Sequence, residues 1–191
     1  DVVREGEDGL GVGVVVLEGD LDRRRALLAL DVDRPSVEDL LVPVQVTDER
    51  LEAALEVERA LPVDPLVDEG PAGPLPRVNV SLKLSALDSQ FDAIDPRGTT
   101  DRVLARLRPI WRLARANGAQ VHVDMESHAT KDLALAIFRT IAMEEEFRDW
   151  PHCGIVVQCY LRESLRDLEA LAEWARNRGT PVWIRLVKGA Y

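Results

Sequence analysis

The chain has 191 residues, enough for one sizeable hydrophobic core but short of the about 250 residues that a complete eight-unit α/β barrel needs. Its formal net charge of −10 disfavours nucleic acid and anionic membrane surfaces as partners. The sequence contains no run of about 18 apolar residues, so no membrane-spanning helix is predicted. The spacing of Cys153 and Cys159 does not suggest a disulfide framework, so we expect reduced thiols and a cytoplasmic protein.

The first 76 residues differ in composition from the rest of the chain. Residues 1–76 carry 19 acidic and 7 basic residues and no aromatic residue, whereas residues 77–191 carry 15 acidic and 17 basic residues. Aromatic side chains contribute strongly to the stability of a core. We therefore expect residues 1–76 to form an acidic N-terminal segment, either a partly ordered extension or a stretch foreign to the fold. Residues 77–191 are expected to form the folded domain.

Local patterns predict the elements in chain order. In the acidic segment they predict a strand at residues 11–17, a helix at 48–61 and a linker or ordered loop at 62–76. Beyond it, apolar runs predict strands at residues 77–84, 119–124, 154–160 and 181–187. Helical periodicity predicts helices from Thr99 or Thr100 to residue 116, from Thr130 onward, and over about 163–176. Pro109 is expected to interrupt the first helix and kink it, and Leu165 is expected to be buried on the third.

The alternation of strands and helices predicts a parallel sheet, in which the carboxyl ends of the strands share one rim. Four polar side chains lie at these ends: Lys83, Asp124, Gln158 and Arg185. In α/β proteins this rim is where ligands bind. Because no helix follows the fourth strand, we expect this chain to be part of a larger unit.

Lys83 and Asp124 each allow a structural and a functional interpretation. Lys83 is either a surface lysine with its charge in water or a ligand for a substrate carboxylate. Asp124 lies at the end of a buried strand, where its charge needs a partner. Lys83 is the expected partner. The pair is either a structural ion pair or part of a ligand site. Glu126 and His128 follow on the same rim.

The other two strand ends also leave alternatives open. Gln158 either bonds the neighbouring backbone or binds the edge of a planar heterocycle. Arg185 either pairs with a carboxylate on a neighbouring strand or meets an anion or an electron-rich ring. The Lys188-Gly189-Ala190 sequence suits a phosphate or a cofactor chain. The sequence has no zinc-type spacing of His and Cys, no P-loop, no GxGxxG and no GxSxG, so we predict no metal site and no serine nucleophile.

Four motifs within residues 77–191 resemble one enzyme family: VSLKLSAL, VHVDMESHATKDLALAIF, GIVVQCYLRESLRDL and RGTPVWIRLVKGAY. They are similar to the FAD-dependent proline dehydrogenases, above all to the proline dehydrogenase half of bifunctional bacterial proline utilisation proteins. The resemblance implies an α/β fold, a partial (βα)8 TIM-type barrel of about half the strands with an acidic N-terminal extension.

The resemblance also implies an activity and its partners. The expected reaction is oxidation of L-proline to Δ1-pyrroline-5-carboxylate by hydride transfer to FAD, the first step of proline catabolism to glutamate. The electrons would pass to a quinone at the membrane, which implies peripheral membrane association. The full-length protein would carry an aldehyde dehydrogenase domain.

By resemblance, each strand-end residue has a role. Lys83 would bind the proline carboxylate, and Asp124 would orient Lys83 and act with Arg185 in catalysis. Arg185 would also contact the cofactor near its N5 atom. The remaining cofactor-binding residues would be Met125, Gln158, Lys188, Gly189 and Ala190.

The family also has a tyrosine and an arginine pair that bind proline, in a barrel portion that this chain does not include. We therefore expect a fragment with little or no activity on its own. Two alternatives are a non-catalytic barrel remnant and a different barrel enzyme that uses Lys83 and Asp124 in aldol or proton-transfer chemistry.

Overall fold

The computed structural model describes Val14–Val15, Glu69–Gly70 and residues 73–188. The helix predicted at residues 48–61 lies outside these residues, as do Gly189 and Ala190. Seven strands are present in the described part: β1 (Val14–Val15), β2 (Glu69–Gly70), β3 (Gly73–Pro74), β4 (Asn79–Leu82), β5 (Gln120–Val123), β6 (Cys153–Gln158) and β7 (Trp183–Val187). Three helices alternate with the last four strands: α1 (Pro96–Ala116), α2 (Lys131–Ala142) and α3 (Ser164–Arg178).

The main sheet has five strands in the order β1-β7-β6-β5-β4, and every neighbouring pair is parallel. The predicted parallel arrangement of the four strands after residue 77 is confirmed. The strand predicted at residues 11–17 is present as the two residues of β1, beside β7. Strands β2 and β3 form a separate antiparallel pair within the segment predicted as a linker or ordered loop.

Helix α1 begins earlier than its sequence pattern predicts. The carboxylate of Asp95 accepts a hydrogen bond from the Gly98 amide at 3.0 Å, and Pro96 occupies the first turn, where its missing N–H costs nothing. The Thr99 hydroxyl donates instead to the Asp92 carbonyl at 3.1 Å, so the predicted threonine cap is wrong. The helix continues through Pro109 to Ala116, where its predicted end is confirmed, and the kink expected at Pro109 stays a prediction.

The other two helices follow their predicted spans with small shifts. Thr130 precedes α2 but makes no capping hydrogen bond to the helix amides. Helix α3 ends at Gly179, whose φ of 77° is the left-handed conformation that glycine adopts at low cost. The Leu165 side chain is 65% exposed, so its predicted burial is wrong, whereas Leu171 on the same helix is fully buried.

The helices cover one face of the sheet. Across strands β4 to β7, the register aligns a row of aliphatic side chains that are at most 4% exposed: Leu82, Val123, Ile155 and Ile184. Beyond this row, Trp111 of α1 makes edge contacts with three aromatic rings at centroid distances of 5.2–6.1 Å: Phe138, Phe147 and Trp150. The core therefore lies between the sheet and the helices, as in one side of an α/β barrel.

A buried arginine joins the elements at the opposite end from the candidate rim. Arg178, the last residue of α3, is 3% exposed and donates to the backbone carbonyls of five residues: Ala142, Phe147, Trp150, Thr180 and Pro181. These carbonyls belong to the end of α2, the α2–β6 connection and the approach to β7. Both cysteines are free, with Cys153 buried as the first residue of β6 and Cys159 exposed just after it.

Candidate functional site

The face of the sheet opposite the helices, here called the inner face, carries polar side chains. Successive residues of a strand point to opposite faces, and the register aligns Ser81, His122, Gly154 and Trp183 in the row next to the aliphatic one. Two residues further along, the same alternation puts Lys83 and Asp124 on the inner face at the rim. Arg185 pairs with Val156, and Gln158 lies two residues beyond Val156. The four strand-end residues therefore share one face and one end of the sheet.

Arg185 extends across the inner face. Its Nη1 donates a hydrogen bond to the Ser81 hydroxyl at 2.8 Å and lies 3.8 Å from Asp124 Oδ1. Strands β4 and β7 are three strand spacings apart, about 14 Å along a flat sheet. Contact between their side chains indicates that the sheet curves around the inner face, as a barrel wall does.

Asp124 has Arg185 as its cationic contact, not Lys83. Among the described side chains, the ion pair within 4.0 Å of Asp124 is the one with Arg185, so the expected contact with Lys83 is wrong. Burial raises the pKa of the Asp124 carboxyl, and it outweighs the opposing effects of Arg185, Lys83 and a hydrogen bond from Ser81. Lys83 is exposed and acts on Asp124 through its charge. Its ammonium makes no ion pair with a carboxylate in the described part of the chain.

Within the described residues, Gln158 uses only the amino group of its side-chain amide in a hydrogen bond. The side chain is 3% exposed, and its Nε2 donates to the Met125 carbonyl at 2.9 Å. Its Oε1 is buried and has no partner in the described part of the chain. The hydrogen bond from Nε2 to the backbone agrees with the structural interpretation of Gln158. The buried Oε1 still needs a donor, which a ligand N–H or a water could supply. Met125 and Gln158 line one small cleft at the rim.

A buried lysine, which the sequence analysis did not single out, lines the same cleft. The Lys131 side chain is 7% exposed, and its Nζ lies 2.7 Å from Asp167 of α3 and 2.6 Å from Asp132. Burial lowers the pKa of Lys131, but the two hydrogen-bonded carboxylates more than offset this and the pKa is raised. A positive charge in the first turn of a helix is unfavourable to the helix dipole. The position of Lys131 at the start of the predicted helix was therefore the signal in the sequence that could have identified it.

Two polar contacts tie the rim loops together. Glu126 accepts hydrogen bonds from the Ser85 hydroxyl and from the Ser85 amide, the latter at 3.0 Å. His128 Nε2 lies 2.7 Å from Glu163 Oε1, just before α3. Glu126 and His128 thus lie on the rim as the sequence predicts, and in this structure they connect loops.

His122 fills the inner face beneath Arg185. It is 4% exposed, and its Nδ1 lies 3.1 Å from Asn79 Oδ1. Burial, with a smaller effect from Arg185, lowers the pKa of His122 to about 3, so the ring is neutral at physiological pH. A Cβ on Gly154 would lie 2.6 Å from this ring, which explains the glycine. The neutral ring adds no charge to the Arg185–Asp124 pair.

Other candidates can be placed more briefly. Lys188 is exposed directly after β7, and the neighbouring Gly189 and Ala190 lie outside the described residues. Within the described residues, no group of three or more His, Cys, Asp or Glu side chains could hold a metal ion. No helix in that part of the chain is long and apolar enough to cross a membrane.

Comparison with known proteins assigns a family to this arrangement. The family model described as proline dehydrogenase matches residues 41–191. Proline dehydrogenase of Deinococcus radiodurans is 36% identical over 112 residues, 59% of this chain and 32% of that protein. The bifunctional protein PutA of Escherichia coli is 28% identical over 112 residues, 59% of this chain and 8% of that protein.

A solved structure supports the same relationship. Proline utilization A from Bdellovibrio bacteriovorus, inactivated by N-propargylglycine, superimposes with a TM-score of 0.77 at 37% identity. The match covers 81% of this chain and 16% of that one. The chain thus spans less than a third of the length of each of these relatives.

Proposed function

This chain belongs to the proline dehydrogenase family, and we propose that the intact product of its gene oxidises L-proline to Δ1-pyrroline-5-carboxylate with a bound flavin. The observation that carries the proposal is the convergence of Lys83, Asp124, Arg185 and Gln158 at one rim of the inner face. That rim offers a free ammonium, an ion pair and a buried unpaired acceptor within one fold.

A flavin is the cofactor that the family implies, and we propose that it is FAD. When bound, the flavin accepts the hydride from the substrate. Gln158 fits such a group because its buried Oε1 lacks a donor, and a flavin pyrimidine ring presents an N–H at its edge. Met125 follows Asp124 directly after β5, and its contact with the ring system stays a prediction. Lys188, Gly189 and Ala190 would hold the ribityl and pyrophosphate groups, which stays a prediction.

Lys83 would bind and orient the substrate. Its ammonium is exposed at the end of β4 and makes no ion pair with a described carboxylate, so it can pair with the proline carboxylate. A proline held by its carboxylate presents its ring in a restricted set of orientations, which lowers the entropic part of the barrier. Asp124 makes no ion pair with Lys83, but its charge lies near enough to interact with that of the ammonium.

Arg185 would supply a fixed positive charge where the cofactor becomes more negative. Its guanidinium is held by Ser81 and Asp124, so it does not have to reorganise when charge develops. The partly desolvated position strengthens the effect, since the Arg185 side chain is 19% exposed.

The proposal is tested on the intact gene product, purified and assayed with proline and an artificial electron acceptor. We expect a flavin absorption band, proline-dependent reduction of the acceptor, and Δ1-pyrroline-5-carboxylate as the product. Lys83→Met is expected to raise the KM for proline about 100-fold or more, with Arg97→Met, an exposed arginine at the start of α1, as the control. A protein that remains colourless with added flavins would contradict the proposal, and borohydride trapping of Lys83 would favour Schiff-base chemistry instead.

The wider setting is also part of the proposal. Relatives named as bifunctional proteins support a second activity in the same polypeptide, which we propose to be an aldehyde dehydrogenase. A membrane quinone as electron acceptor, a cytoplasmic location and peripheral membrane association remain predictions. Activity of the isolated membrane fraction with endogenous quinone would test them.

A further inference from the structure

We infer that Ser81 is a positioning residue of this site: its hydroxyl bridges Arg185 and Asp124 and fixes the distance between their charges. The inference rests on the proposed function where it concerns proline oxidation. The bridge itself is a property of the chain and can be measured without the reaction.

The distances show why a bridging group is needed. Arg185 Nη1 lies 3.8 Å from Asp124 Oδ1, too far for a direct hydrogen bond, but 2.8 Å from Ser81 Oγ. A hydroxyl donates one hydrogen bond and accepts up to two. Ser81 accepts from Arg185 at 2.8 Å, and its hydroxyl lies close enough to Asp124 to lower the pKa of that carboxyl. The hydroxyl proton, which the contact with Arg185 does not use, is the one we infer to be donated to Asp124.

The fold explains why position 81 can do this. Ser81 pairs with His122, two residues before Asp124, so both side chains point to the inner face. Arg185 reaches β4 across β6 and β5, and beside it β6 presents the small side chains of Gly154 and Val156 on this face. Ser81 is exposed, so its hydroxyl is not needed to satisfy a buried group of the core. The loss of this hydroxyl should therefore affect the site more than the fold.

The charges around Asp124 define the effect of removing the hydroxyl. Burial raises the pKa of Asp124, Arg185 and Lys83 lower it, Glu126 raises it, and the Ser81 hydrogen bond lowers it. His122 beneath the pair is neutral. Without the Ser81 hydroxyl, the pKa of Asp124 should rise further, and Arg185 should lose its nearest hydrogen-bond acceptor.

The experiment compares Ser81→Ala, Ser81→Thr and the control Ser89→Ala in the intact gene product. Carbon-13 NMR titration of the Asp124 carboxyl, in protein freed of flavin, measures the bridge directly. Kinetics with proline measure its consequence. For Ser81→Ala we expect a higher Asp124 pKa, a kcat lowered about tenfold and a KM changed by less than about twofold, since Lys83 still binds the carboxylate.

The conservative variant and the control separate positioning from a general structural effect. Ser81→Thr keeps the hydroxyl on a residue that suits a strand and should restore both the pKa and kcat. Ser89 is exposed in the loop after β4, and Ser89→Ala should change neither.

Each result has a distinct meaning. An unchanged Asp124 pKa in Ser81→Ala would overturn the inference whatever the enzyme does. A shifted pKa with unchanged proline kinetics would overturn the positioning role. A shifted pKa in a protein that never oxidises proline would uphold the bridge and reject the proposed function.

Discussion

At the scale of single residues, Arg185 is the side chain on which the proposed chemistry depends most. Its guanidinium lies between Ser81 and Asp124 and is mostly shielded from solvent. Arg185→Met in the intact gene product should lower proline-dependent acceptor reduction about 100-fold, because one preorganised charge is lost. Arg162→Met, an exposed arginine on the β6–α3 loop, is the matched control. Equal rates for the two variants would remove Arg185 from the mechanism.

Gln158 provides a test of cofactor binding that does not depend on turnover. Gln158→Leu replaces the amide by an apolar side chain of similar size and removes both the buried acceptor and the hydrogen bond to the Met125 carbonyl. The dissociation constant for the flavin should rise about tenfold, the cost of one hydrogen bond. Flavin fluorescence titration measures it, with the exposed Gln90→Leu as control. Unchanged affinity in Gln158→Leu would mean that Oε1 faces a water.

His122 should make the fold sensitive to acid. Its folded pKa of about 3 is below the ordinary value of 6.5, so the unfolded chain binds the proton more readily. The stability that this neutral histidine contributes is complete above pH 6.5 and declines as the pH falls toward 3, by up to about 1.4 kcal/mol per pH unit.

The measurement is urea unfolding at a series of pH values. Between pH 6 and about pH 4, the free energy of unfolding should fall more steeply in the natural protein than in His122→Asn. Parallel curves for the natural protein and His122→Asn would show that His122 is protonated in the fold.

At the scale of elements, the buried end of α3 should be the most sensitive point for stability. Arg178→Met would leave backbone carbonyls from three segments without their donor. We expect a loss of about 3 kcal/mol in the free energy of unfolding. Arg176→Met, exposed on the same helix, should change it by less than about 0.5 kcal/mol. A similar small effect for Arg178→Met would show that water replaces its contacts.

The sequence predicted which strands and helices form better than it predicted where each one begins and ends. Alternating strands and helices were predictable because apolar runs and helical periodicity are local signals. The start of α1 was missed because Asp95 and Pro96 form a cap that competes with the threonines. Leu165 was placed in the core by its spacing, yet it lies in the first turn of α3, where no described element covers it.

At the scale of the whole molecule, the site combines residues that are far apart in the chain. The strand-end positions of Lys83, Asp124, Gln158 and Arg185 followed from the parallel arrangement. The contact between Ser81 and Arg185, separated by 104 residues, did not, since it depends on the curvature of the sheet and on the small side chains of β6. Partner choice at the rim is thus a tertiary property: Asp124 contacts Arg185, and Lys83 makes no ion pair with a described carboxylate.

We propose that the inner face holds a flavin that proline reduces. Anaerobic spectroscopy is the most direct test of this proposal. Proline is mixed with the intact gene product in the absence of oxygen and of any other acceptor, and the visible spectrum is followed. We expect an oxidised flavin band that bleaches on addition of proline and remains in the Arg185→Met protein over the same time. A flavin band that proline leaves unchanged in the natural protein would contradict the account.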